Sequence, residues 1–147
     1  MKKLLFFAIL MVSIVTFAQE DHSNFESTLA IAKSQNKNVL LIFSGSDWCA
    51  PCMKLEKNVF QTEIFKTEAA NNWIVFKADF PKKKANALPK EIQEQNDKLA
   101  EKYNRDGNFP FVLVIDSNGK VLGRTGFKNT TAQDYITELK SFSHSRS

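Results

Sequence analysis

The chain has 147 residues, 43% hydrophobic and 24% charged, the make-up of an ordinary globular protein and not of a disordered one. Basic residues exceed acidic ones by +4, and Lys2 and Lys3 supply two of those charges, so too little excess remains to argue for nucleic acid or an anionic membrane surface. Its two cysteines, Cys49 and Cys52, cannot fill a structural zinc site, which needs four Cys or His ligands, and the two histidines, His22 and His144, stand far from them in sequence.

At the N-terminus, Met1-Lys2-Lys3 is a short positive region. Residues 4–15 are apolar except for Ser13, and Thr16-Phe17-Ala18 offers small residues around a cut after Ala18. That three-part pattern is a secretory signal peptide. Residues 4–18 are short for a membrane-spanning helix of about 20 residues. The expectation is therefore a signal over 1–18 and an exported, periplasmic domain over 19–147. The alternative is a membrane tether made by an uncleaved signal.

Along the rest of the chain, Phe25, Leu29, Ala30 and Ala32 fit one helical face over residues 24–35, with Ser23 or Asn24 as cap. Residues 39–43 form an apolar run of the length and composition of a strand buried on both faces. Ser44, Gly45, Ser46 and Asp47 make a turn, and a helical pattern starts near Cys49 and runs through Met53, Leu55 and Glu56. A further helix over 63–71 and a strand over 73–80 follow. Residues 81–89 form a loop with three consecutive lysines, Lys82, Lys83 and Lys84, read as a solvated loop or as a docking patch for an acidic partner. Pro89 opens a helix through Ile92, Leu99 and Tyr103. Residues 111–115 are a second core-type strand, Ser117-Asn118-Gly119 is a hairpin turn, and residues 120–127 form the returning strand. Thr130 or Thr131 opens a last helix through Tyr135, Ile136 and Leu139. A crossover helix between the first two strands implies a parallel pair, and the hairpin implies antiparallel neighbours. The expected fold class is α/β, a mixed sheet of four or five strands with helices on both faces.

The chemistry is concentrated in Trp48-Cys49-Ala50-Pro51-Cys52, after a buried strand and at the start of a helix. Two intervening residues on a helical turn bring the sulfurs within bonding reach. At the helix N-terminus, free N–H groups and the helix dipole favour the thiolate of Cys49. Cys52, one turn in, is expected to be the more buried and to attack a mixed disulfide. Pro51 sits in the first turn, where its missing N–H costs little. Each unit by which a thiol pKa is lowered favours the reduced, ionised form by about 1.4 kcal/mol, roughly 30 mV for a two-electron couple. The bland alternatives are a structural disulfide, or metal capture by the pair with Met53, for which no well-placed histidine completes a site. Phe109-Pro110 directly precedes the strand at 111, where proline is permitted. The base rate alone favours a trans bond there.

These residues resemble the thioredoxin superfamily over nearly all of the domain: the strand at 39–43, the Trp48-to-Cys52 motif, Pro110 before its strand, and the return strand ending at Gly126. The resemblance implies that Cys49 is the nucleophile and Cys52 the resolving thiol. It also implies that Pro110 is a cis-proline beside the active site and that the Phe109 backbone pairs with an extended substrate. Trp48, Ala50, Pro51, Phe109 and Pro110 are then the substrate-binding residues. The stretch Asp47-Trp48-Cys49-Ala50-Pro51-Cys52-Met53-Lys54-Leu55-Glu56, with Val59-Phe60 after it, is similar to the C-terminal domain of the transmembrane disulfide-interchange reductase. In that subgroup a glutamate seven residues after the first cysteine influences thiol protonation, and Glu56 holds that place. The alternative for Glu56 is a solvated helix residue. Counting six residues back from Cys49, where thioredoxins carry a buried aspartate, gives Phe43.

The resemblance implies an exported thiol-disulfide oxidoreductase, a protein-disulfide reductase acting on protein thiols and disulfides. It implies no metal or organic cofactor beyond the Cys49–Cys52 pair, and a monomer supplied with electrons by a membrane disulfide reductase. The competing readings are a disulfide donor or isomerase in oxidative folding, a non-enzymatic binding module with a static disulfide, and copper handling.

Overall fold

The computed structural model describes residues 24–143; the expected signal over 1–18, its cut, and Ser23 as a cap lie outside the described residues. Strand β1 (Asn38–Ser44) is buried over its first six positions, as its unbroken apolar run requires. It sits inside a four-stranded sheet of order β2-β1-β3-β4. It pairs in parallel with β2 (Trp73–Asp79) and antiparallel with β3 (Phe111–Ile115), which returns through a hairpin to β4 (Val121–Gly126). Among the described residues no helix is long and apolar enough to cross a membrane.

Strand alternation sends the two faces of β1 into different layers. Leu40 and Ile42 pack with α2 (Ala50–Leu55), α3 (Glu63–Asn72) and α5 (Ala132–Ser143). Val39, Leu41 and Phe43 pack with α1 (Phe25–Ser34) and α4 (Lys90–Tyr103). The expected mixed α/β sheet covered on both faces is the one observed, with four strands.

Local signals set the element ends. The Asn24 side chain accepts from the Ser27 N–H and caps α1. The Thr131 hydroxyl accepts from the Asp134 N–H, and the Asp134 carboxylate accepts from that hydroxyl at 2.7 Å, a reciprocal cap for α5. Asp116 anchors the hairpin by accepting from the N–H groups of Asn118 and Lys120, and Gly119 takes the positive φ of 82° that the turn needs. Pro89 caps α4 and does not begin it. The inner face of α1 differs from expectation. Thr28 is buried with Phe25 and Ala32 while Ala30 is exposed, because the Thr28 hydroxyl satisfies itself on the Asn24 carbonyl at 3.0 Å.

One element has no counterpart in the sequence reading. Directly after α2 the backbone widens into a π turn, Glu56–Phe60, in which the Gln61 N–H donates to the Glu56 carbonyl five residues back. The wider turn buries Val59 and Phe60, adjacent in sequence, on the same core.

Tyr135 ties α5 to the end of β4. Its ring is fully buried and its hydroxyl donates to the Gly126 carbonyl at 3.0 Å. Burial, with the charge of Glu138 adding to it, pushes the phenol well above its ordinary range. The neutral phenol is the form that stabilises the fold. Its contribution is therefore intact below the ordinary tyrosine pKa of about 10 and is lost as pH rises beyond it. Tyr135→Phe is expected to lower stability by about 1 kcal/mol at neutral pH by orphaning the Gly126 carbonyl. The gap to wild type should narrow above about pH 10, as read from urea midpoints across that range.

Candidate active site

The turn between β1 and α2 is short and tightly held. Cys49 and Trp48 both donate their N–H groups to the Gly45 carbonyl, at 2.9 and 3.3 Å. Gly45 has to be glycine because a Cβ there would overlap the Trp48 indole. Cys49 is the N-cap of α2, with extended backbone, and its sulfur accepts from the Cys52 N–H at 3.2 Å. Pro51 stands in the first turn of that helix, as expected. The two sulfurs form a disulfide with the Cα atoms 5.2 Å apart. Cys52 is not the more buried of the two. Both residues are 4% exposed, since the closed bond draws the Cys49 sulfur onto the first turn of the helix.

The loop after β2 braces this turn, and here the lysine run departs from a simple solvated loop. Asp47 accepts from the N–H groups of Lys82 and Lys83, at 2.9 and 3.0 Å, and from the Asn86 side-chain amide at 2.9 Å. Those bonds hold its carboxyl below the usual carboxylate range, led by the Lys82 N–H. Asp79 accepts from the N–H of Ser46 at 2.9 Å and from its hydroxyl at 2.5 Å. The Trp48 indole N–H donates to the Phe80 carbonyl at 2.7 Å, and the Lys82 ammonium lies 3.9 Å from the centroid of the Trp48 ring. The loop itself closes through a short 3-10 turn, Lys84–Asn86.

The Phe109–Pro110 peptide bond is cis. Pro110 is buried, and with Pro51, Phe109, Arg124 and Phe127 it lines a surface groove of about 380 Å³. A Cβ on Gly126 would come within 3.3 Å of the Pro110 carbonyl, so β4 approaches this bend closely. Trp48 joins the groove through an edge contact with Phe109, ring centroids 5.4 Å apart. Ala50 is exposed at the start of α2 and does not line the groove. Four of the five expected substrate-binding residues thus stand together.

Cys52 opens onto a different cavity, about 440 Å³, shared with Ser44, Glu56, Lys77 and Asp79. The Glu56 carboxylate accepts from the Lys77 ammonium through both oxygens, each at 2.7 Å. Glu56 therefore faces the same space as Cys52 but is bonded to β2. Lys77 was not among the residues expected at the site. Its strand neighbour in register is Ile42, on the β1 face turned toward α2.

Phe43 does not stand in this cavity. Strand alternation turns it into the α1/α4 layer, 6.3 Å from Phe80 between ring centroids, while Ile42 faces the α2 layer. Counting residues back from Cys49 therefore selects the wrong face of β1. Both side chains are apolar, so the place of the buried acid is apolar either way.

The sequence profile of the Thioredoxin-like family matches residues 20–117. The chain is 34% identical to the disulfide bond reductase DsbH of Chlamydia pneumoniae over 118 residues, 80% of this chain and 69% of that protein. A solved structure, the DsbH oxidoreductase, superposes with a TM-score of 0.77 at 32% identity, covering 84% of this chain and 83% of that one. The oxidised C-terminal domain of DsbD from Neisseria meningitidis superposes with a TM-score of 0.50 at 19% identity over 78% of this chain and 89% of that one, a likeness of fold. The homology and the Cys49–Cys52 pair together mark a disulfide oxidoreductase.

Asp47→Ala removes three bonds that hold the loop against Trp48. Acrylamide quenching of tryptophan fluorescence should rise, and because Trp73 is only 2% exposed the rise reports Trp48. The depressed Asp47 carboxyl gives this bracing above the ordinary carboxylate range and loses it as pH falls through its lowered value. Quenching of wild type should therefore climb below about pH 4, and Asp47→Ala should show no such climb.

Proposed function

The chain belongs to the Thioredoxin-like family, and from that premise we propose that it is an exported thiol-disulfide oxidoreductase that reduces protein disulfides. The observation that carries the reading is the Cys49–Cys52 disulfide, at a helix N-terminus and beside a groove floored by Pro110 and Phe109. In the reduced protein the Cys49 thiolate attacks a substrate disulfide, forming a mixed disulfide and releasing one substrate thiolate. The Cys52 thiolate then attacks the Cys49 sulfur, closing the Cys49–Cys52 bond and releasing the second thiolate. Two electrons pass to the substrate, and no metal or organic cofactor is needed. A membrane disulfide reductase returns the two electrons.

Helix N-terminal N–H groups stabilise the Cys49 thiolate that attacks the substrate. The groove positions an extended substrate segment along Phe109 and Pro110, with Trp48 and Pro51 beside the attacking sulfur. On the other side of the disulfide, Glu56 is a proton acceptor in the cavity it shares with Cys52 and Asp79, and Lys77 positions it. The reductive direction is supported by Pro51 within the motif and by the name of the relative DsbH, a disulfide bond reductase.

Equilibration with glutathione should give a potential near that of thioredoxin, about −270 mV, and a value near −120 mV would instead assign a disulfide donor. Cys49→Ser should abolish reduction of a disulfide substrate. Cys52→Ser should accumulate substrate as a mixed disulfide on Cys49, and a failure to accumulate any would refute the cycle. Glu56→Gln should slow release of the second thiol by about tenfold or more while leaving the first attack unchanged. Equal slowing of both steps, or of neither, would remove Glu56 from the proton path.

A further inference from the structure

The carboxylates on the active-site face are all engaged within the protein. Asp47 is taken up by the 82–86 loop, Asp79 by Ser46, and Glu56 by Lys77. Among the cations around the same face, Lys83 lies near enough to the Asp47 carboxylate to help hold it ionised. Among the described residues Lys54, Lys82, Lys84 and Arg124 form no ion pair.

Their placement follows the substrate groove on both flanks. On one side Lys82 is laid over the Trp48 ring, on a loop whose backbone Asp47 fixes. On the other side Arg124 lines the groove, and the Lys54 ammonium stands 5.6 Å from the centroid of Phe127, which lines it too. Trp48, next to Cys49 in sequence, touches Phe109 and so links the two flanks. The result is an aromatic floor with a cationic rim, and the floor includes Pro51, between the two cysteines. Uncompensated charge at a rim acts mainly on encounter and on the choice of partner.

We propose that this cation-rimmed groove selects protein disulfides whose flanking residues are acidic. The proposal rests on the reading that a protein disulfide is the substrate, and it names the chemistry of the segment beside it. Acidic neighbours make a substrate thiol a poorer leaving group and repel an approaching thiolate, so they slow exchange intrinsically. Lys82 and Arg124 offset both effects when the segment is seated.

The test uses three disulfide-bridged peptides of equal length, flanked by glutamate, glutamine or lysine. Each is reduced by the dithiol form of the full domain and, separately, by dithiothreitol. Dithiothreitol should reduce the glutamate peptide most slowly. The protein should reverse that order, reducing the glutamate peptide about tenfold faster than the lysine peptide at low ionic strength. The preference should fall to about twofold or less near roughly 1 M salt, where the Debye length is about 3 Å. The double variant Lys82→Glu, Arg124→Glu should invert the preference. The wild-type peptide and salt series decides the matter even if that variant is unstable. Equal rates for the three peptides, or a preference indifferent to salt, would overturn acidic selection and leave the oxidoreductase reading standing. Failure to reduce any of the peptides would remove that reading, and acidic selection with it.

Discussion

Everything in this molecule is arranged around a strand that must be covered on both sides. β1 presents five consecutive apolar side chains, Val39 to Phe43, none more than 2% exposed. A half-buried strand would alternate with water, and this one cannot. Helices are therefore needed above and below the sheet. The parallel β2 and antiparallel β3 shield its edges, and the chain leaves β1 through the turn that leads into α2. The disulfide stands at that exit. Its position is a consequence of burial, because the first chain segment able to reach water after β1 is the turn that presents Cys49.

A turn at the end of a rigid strand still has to be aimed, and polar bonds from a neighbouring loop do the aiming. Asp47 gathers three donors from residues 82–86, Asp79 holds Ser46, and Trp48 donates to Phe80. These are charged or directional contacts at a partly wet surface, individually modest. Their value is geometric, because they fix the indole and the start of α2 relative to the sheet. The apolar side adds a run of rings from Phe43 through Phe80 and Phe109 to Trp48, which couples the motif to the α1/α4 core.

Much of this was legible in the sequence, for physical reasons. A fully apolar run of five residues specifies a central strand, an Asn-Gly pair specifies a hairpin, and Cys-x-x-Cys after a strand with proline inside specifies a disulfide at a helix start. Periodicity alone did not give the rest. The π turn depends on a backbone bond to Glu56 that leaves no residue signature. The choice between Ile42 and Phe43 depends on which face of β1 meets α2, and residue counting through a turn of unknown length misplaces it by one. The lysine loop reads as solvent-facing because its anchor, Asp47, lies 35 or more residues away in sequence. Thr28 reads as polar, although its hydroxyl is satisfied within its own helix.

The same features divide the two halves of the proposed cycle between two faces of one disulfide. Pro51, between the two cysteines, borders an aromatic groove of about 380 Å³, where an extended chain can lie against Pro110. Cys52 borders a cavity of about 440 Å³ that also holds the charged side chains of Glu56, Lys77 and Asp79. Attack on a substrate needs a stabilised thiolate and a dry contact surface. Resolution needs a thiol to lose its proton in place. A single pocket would have to be apolar for the first and proton-accepting for the second. Setting the pair at the start of α2, with Pro51 turned to the groove and Glu56 one helical turn beyond Cys52, lets each sulfur keep its own environment. An apolar Ile42 below the cavity leaves the acid to arrive from the helix, and Lys77, reaching across from β2, fixes where that acid stands.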